Sequence, residues 1–155
     1  MTDLETATSV AADLCRRFEG FRAKPYLCPA GVPTIGYGST SYLDGRKVAL
    51  TDPPVTEKAA RAMLEASLVR DYLRPLTALS PVLARLPQAL GALGSFAYNL
   101  GVPAYQRSTL RARVDAQDWI GAQTEIKKWT RAGGKVLPGL VKRRAAEAAL
   151  LNKEG

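Results

Sequence analysis

Three side chains in one short stretch of this 155-residue chain could do chemistry together: Glu19, Cys28 and Thr34. They supply a carboxyl, a thiol and a hydroxyl. The chain has no histidine, so acid–base work near neutral pH falls to a tuned carboxyl or to Cys, Lys or Tyr. Phe18 and Phe21 flank Glu19, and Gly20 lets the chain turn beside it. A carboxyl held against apolar surface keeps its proton to higher pH and can serve as a general acid. Cys28 lies between Leu27 and Pro29 in a Pro/Gly loop. It reads either as a small packed residue or, where its thiol is ionised, as a reactive group. Thr34 on its own is an ordinary strand residue.

The elements that position these groups follow from periodicity and punctuation. Leu4, Ala7, Ala11, Leu14, Cys15 and Phe18 recur at helical spacing, and the helix runs out at Glu19-Gly20. Residues 25–52 lose the helical period and become rich in Pro, Gly, Thr and Tyr, with a hairpin signal at Asp44-Gly45. This predicts a small antiparallel sheet of three strands. Thr56 caps the next helix, which runs to Tyr72 and which Pro75 ends. Pro87 opens a helix that Gly101 stops, Ser108 or Thr109 and Asp118 cap two more, Gly133-Gly134 is a loop, and residues 140–151 form a last, basic helix. Trp119 and Trp129 sit on apolar stripes and are expected in the core. The sum is one domain over 1–155: a sheet lobe at 25–52, a connecting helix at 56–73 and a helical lobe at 76–152, with a cleft between lobes suited to a polymer.

Composition narrows the classes. Cys15 and Cys28 make no disulfide framework, and neither has Cys or His at metal-ligand spacing, so no metal or cofactor is expected. No run approaches the ~18 apolar residues of a membrane span. The N-terminus lacks a basic region followed by an apolar one, so a cytoplasmic protein without signal peptide is expected. The net charge of +8 favours a polyanionic partner: nucleic acid, anionic lipid or an acidic cell-wall polymer. A basic nucleic-acid-binding module would carry such charge, but it shows no recognised binding motif and leaves Glu19 to Thr34 unexplained.

The spacing Glu-x8-Cys-x5-Thr resembles the catalytic signature of phage-type lysozymes, the T4-lysozyme-like endolysins, whose middle residue is usually Asp and sometimes Cys. The resemblance extends to Ile35-Gly36-Tyr37-Gly38, Ser95–Gly101, Ser108-Thr109-Leu110, and the lambdoid-type segments Trp129–Lys135 and Gly139–Arg144. It implies an α+β lysozyme-like fold and a muramidase that hydrolyses the β-1,4 bond between N-acetylmuramic acid and N-acetylglucosamine, with inversion and with water as nucleophile. Glu19 would protonate the leaving oxygen. Cys28 would stand where the family's second carboxylate stands, as base or electrostatic stabiliser, or else as nucleophile. Thr34 would orient the attacking water. Tyr26, Gly36, Gly38, Tyr98, Asn99, Ser108 and Thr109 would contact sugar, and Arg143 or Arg144 would pair with Glu19. Such a protein is expected to act as a monomer on peptidoglycan, to depend on a holin lesion for access, and to meet anionic outer-membrane lipid through Lys142, Arg143 and Arg144. Val141, Ala145 and Ala148 would then face the core. A degenerate lysozyme that binds wall without cutting is the alternative that Cys28 leaves open.

Overall fold

The computed structural model describes residues 1–153. Helix α1, Asp3–Glu19, starts where Thr2 Oγ1 accepts from the Glu5 N–H at 3.1 Å. Acidic residues in its first turn and Arg16 and Arg17 in its last suit the helix dipole. Its buried face is mostly small: Ala7, Ala11, Ala12, Leu14 and Cys15. That lets α4, Pro87–Leu100, lie unusually close. A methyl group added at Gly91 of α4 would fall 2.6 Å from the Val10 side chain. Gly20 then ends α1 with φ of 76°, a left-handed conformation cheap only for glycine.

The sheet lobe is smaller than expected. Strands β1, Arg22–Leu27, and β2, Pro33–Gly36, pair antiparallel, with an irregularity between Arg22 and Tyr26. The predicted third strand is reduced to isolated bridges, Ile35 to Ser39 and Ser41 to Lys47. The cause is local. Gly36 and Gly38 both take positive φ and end β2 after four residues, so nothing remains to pair against. Asp44-Gly45 does turn the chain, with Asp44 Oδ1 accepting from the Arg46 N–H at 2.9 Å. Ile35, Val48 and Met63 form a small core beneath this loop.

The connecting helix α2, Glu57–Ser67, is capped by Thr56. Pro75 does not end it. A π-helical turn, Leu68–Leu73, follows, and α3, Arg74–Leu79, carries Pro75 in its first turn. Proline clashes with the carbonyl four residues back. Here the Arg74 N–H bonds to Val69 O instead, and the wider turn absorbs the ring.

The helical lobe adds a 3₁₀ turn, Pro81–Arg85, then α4, α5, Val102–Gln106, and α6, Thr109–Asp115, capped by Ser108. Helix α7, Trp119–Ile126, is capped by Asp118. Gly133-Gly134 is more than a loop: with φ of 59° and 77° it joins β3, Arg131–Ala132, to β4, Lys135–Val136. Helix α8, Pro138–Ala148, closes the fold. Trp119 joins the main core, and Trp129 packs edge-on against Phe96 at 5.5 Å.

The face of α8 turned to the core corrects the expectation. Arg143, Arg144, Glu147 and Ala148 are buried, whereas Val141 and Ala145 are exposed. Apolar periodicity misleads here because the buried charges neutralise one another. Of the basic trio, Lys142 alone faces solvent. Among the described residues no helix is long and apolar enough to cross a membrane.

Candidate active site

Glu19, Cys28 and Thr34 come from the end of α1, the loop after β1 and the start of β2, and all three line one cleft of about 640 Å³. Glu19 is the last residue of its helix, and its side chain is 26% exposed. Arg143 Nη1 donates to Glu19 Oε2 at 2.6 Å, which settles the choice between the two arginines. Arg143 is itself fixed from behind. Its Nε donates to Ser95 Oγ at 3.2 Å, and its Nη2 to Ser95 O at 3.1 Å. Ser95 Oγ in turn donates to the buried Glu147 at 2.6 Å. Arg144 serves the far side of this network, donating from Nη2 to Glu147 at 3.2 Å and to Asn99 Oδ1 at 2.9 Å. Asn99 lines the cleft, and with its oxygen so engaged its amide NH₂ is left for a ligand. Burial pushes the Glu147 carboxyl up, while Arg144, Ser95 and Arg143 pull against it.

Cys28 sits in a tight loop. Its N–H donates to Val32 O at 3.1 Å, and the Gly31 N–H donates to Cys28 O at 2.8 Å. The Val32 backbone N–H, then that of Ala30 and the Thr34 hydroxyl, hold the thiol below its ordinary range, against a smaller opposing effect of desolvation. In the structure the Thr34 hydroxyl is turned to Val32 O, to which it donates at 2.8 Å. Having one proton, it can serve the carbonyl or the thiolate, but not both. Cys15 is the opposite case: burial pushes its thiol up to about 12, although Arg143 is adjacent. Iodoacetamide at pH 7 is therefore expected to label the folded chain once, on Cys28, with Cys15 reacting only after unfolding. Peptide mass mapping reads the outcome, and equal labelling of both thiols in the folded protein would contradict this account of the loop.

Of the other predicted residues, Tyr26, Gly38, Tyr98 and Asn99 line the cleft. Tyr98 Oη donates to Tyr37 O at 2.8 Å, and burial pushes its phenol far up. Gly38, φ 89°, lies under both: a side chain there would come within 3.2 Å of Tyr98 Oη and 3.8 Å of Glu19 Oε1. Gly36, Ser108 and Thr109 do not line the cleft. A methyl group on Gly36 would meet Ala60 of α2 at 3.0 Å, so that glycine serves packing. Ser108 caps α6, and Thr109 is the first residue of that helix.

Sequence reasoning passed over Ser41, Lys47, Ser67, Arg70, Asp71 and Tyr72, which line the cleft too. It also passed over Ser95 and Glu147 as components of the network behind Glu19. Glu147 stands three and four residues from Arg144 and Arg143, an ion-pair spacing visible in the sequence. No local signal marks Arg70 and Asp71, because the π turn that presents them is a response to Pro75.

The profile of the phage lysozyme family matches residues 16–147. An endolysin of Acyrthosiphon pisum secondary endosymbiont phage 1 is 38% identical over 144 residues, covering 88% of this chain and 91% of that protein. A SAR-endolysin of Bacteriophage PS119 is 34% identical, covering 83% and 73%. Among solved structures, the muramidase domain of SpmX from Asticaccaulis excentricus superposes with a TM-score of 0.74 at 29% identity, covering 91% of this chain and 93% of that one. An endolysin from Escherichia coli O157:H7 phage FAHEc1 gives 0.69 at 27%, covering 94% and 92%. With its helical lobe, small sheet and shared cleft, the chain belongs to the phage lysozyme family.

Proposed function

We propose that this protein is an endolysin: a glycoside hydrolase that cleaves peptidoglycan at the β-1,4 bond between N-acetylmuramic acid and N-acetylglucosamine. The observation that carries the reading is the meeting of Glu19, Cys28 and Thr34 on one open cleft, in a chain of this family. Glu19 is the general acid that protonates the leaving oxygen, and water attacks the opposite face with inversion. Cys28 acts as a thiolate, either as base to that water or as stabiliser of the oxocarbenium-like transition state. The backbone N–H groups that lower the ionisation range of its thiol, Val32 first, support this role. Thr34 orients the water. Tyr26, Gly38, Tyr98 and Asn99 hold the sugars. Alkylation of Cys28 should abolish activity, and Cys28→Asp should retain it, since either group supplies an anion at the same place.

The enzyme works as a monomer and reaches the wall through a holin-type lesion. Anionic envelope lipid would be met by the exposed Lys127, Lys128, Arg131, Lys135 and Lys142.

Digestion of purified peptidoglycan, read by mass spectrometry, tests the reaction. Fragments ending in reducing N-acetylmuramic acid are expected. Reducing N-acetylglucosamine would move the cut to the other bond. Anhydro-muramic ends would replace hydrolysis by intramolecular transfer, and no fragments would leave a wall-binding protein.

A further inference from the structure

Among the described residues, four charged ones line the cleft: Glu19, Lys47, Arg70 and Asp71. Three are matched. Glu19 pairs with Arg143, and Arg70 donates from Nε and Nη2 to the two oxygens of Asp71, each at 2.9 Å. Among the described residues Lys47 has no carboxylate within ion-pair distance; its Nζ has Ser41 Oγ at 3.5 Å. The neighbouring Arg46, by contrast, is engaged by Asp52 at 3.6 Å and lies over the Tyr42 ring. Lys47 is nonetheless well placed. Ser41 bridges it, the Val48 N–H bonds to Thr40 O at 3.0 Å, and the Val48 side chain is buried against Ile35 and Met63. In the same cleft, the π turn that absorbs Pro75 rotates less per residue than an α turn, and three consecutive residues, Arg70 to Tyr72, reach the lining. Asp71 occupies two of Arg70's nitrogens and fixes the plane of the guanidinium, which leaves Nη1 to donate. None of these bonds runs to Glu19, Cys28 or Thr34.

A neutral sugar has little use for an unpaired ammonium and an oriented guanidinium lining one cleft. A carboxylate does, since both cations bind it by charge-assisted hydrogen bonds. Resting on the substrate reading above, we propose that Lys47 and Arg70 form a specificity site for a carboxylate carried by a muramyl residue away from the bond that is cut. That carboxylate belongs either to the bare lactyl group or to the peptide attached to it.

The test compares soluble glycan oligomers in paired forms: with stem peptides, free or carboxamidated, and without peptide, with lactyl groups free or carboxamidated. Each is cleaved by the native protein, Lys47→Gln, Arg70→Gln and the charge-reversed Lys47→Glu. The native protein should prefer the carboxylate form in at least one pair, through KM. Each glutamine variant should lose about fivefold of that preference, the scale of one exposed ion pair. Lys47→Glu should reverse it, and added salt should erode it. The pair that shows the preference identifies the source of the carboxylate. Equal kcat/KM for the two members of both pairs in the native protein, or a preference that survives Lys47→Glu, would overturn the site. Failure to cleave any glycan would instead overturn the hydrolase reading.

Discussion

Glu19→Gln is expected to lower the rate of peptidoglycan cleavage by about 10²–10⁴-fold while leaving the fold in place. The rate loss follows from chemistry: an amide cannot deliver a proton to the leaving oxygen, and a positioned acid contributes on that scale. The intact fold follows from geometry. Glutamine keeps an oxygen that can accept from Arg143 Nη1, now 2.6 Å from Glu19 Oε2. Arg143 also retains Ser95 and, at 3.4 Å, Glu147 as a second carboxylate. Glu19 lies at the cleft wall with a quarter of its side chain exposed, so solvent screens part of what the lost charge contributed. The measurement is turbidity loss of purified peptidoglycan, alongside thermal unfolding of both proteins. A folded Gln variant within tenfold of the native rate would remove Glu19 from the acid role and leave the cleft without an assigned proton donor.

How much of this could be read from the sequence depends on how local each cause was. Caps and stops were legible because their physics lies within four residues. Thr56, Ser108 and Asp118 each accept from an N–H three residues on, and Gly20 and Gly101 end their helices at positive φ. The meeting of Glu19, Cys28 and Thr34 was legible through their spacing. What failed was decided by tertiary contacts. Pro75 reads as a stop, yet core packing of Leu68, Leu73 and Leu76 carries the chain through it, at the cost of a widened turn. Gly36 reads as a place for sugar to approach, but it is α2 that approaches. Helix α8 reads by its polarity as basic and solvated; the family resemblance offers Glu19 as partner to one of its two arginines, but nothing local shows that Asn99, more than forty residues away in sequence, supplies a partner for the other. The unmatched charge of Lys47 became visible only when the partners of its neighbours were known.

The buried part of the same network should dominate stability. Glu147 is wholly inaccessible, and it is held by Ser95 Oγ at 2.6 Å and by Arg144 Nε at 2.7 Å. Arg144 is equally buried, with its guanidinium 5.1 Å from the centre of the Phe96 ring. Burial already pushes Arg144 down and Glu147 up, so each charge depends on the other to remain in place. Removing one partner of such a pair leaves a desolvated charge behind, and the typical cost is about 3–5 kcal/mol. Glu147→Ala should therefore lower the unfolding midpoint by roughly 10 °C in a chain of this length. Arg144→Ala should do similar damage, because Glu147 would lose its nearest cation and Asn99 Oδ1 its donor. The double variant Arg144→Met, Glu147→Leu removes both charges and refills the volume with apolar groups, so it should lose much less than the sum of the two single alanine variants. The Ser95 hydroxyl would still lose the acceptor for its proton and Asn99 Oδ1 its donor, which should hold the double variant below the native protein. Thermal and urea unfolding of the four proteins decides the matter. A Glu147→Ala protein within about 1 kcal/mol of native, on the scale of an exposed pair, would mean that solvent reaches this network and that Arg143 is held behind Glu19 by Ser95 alone.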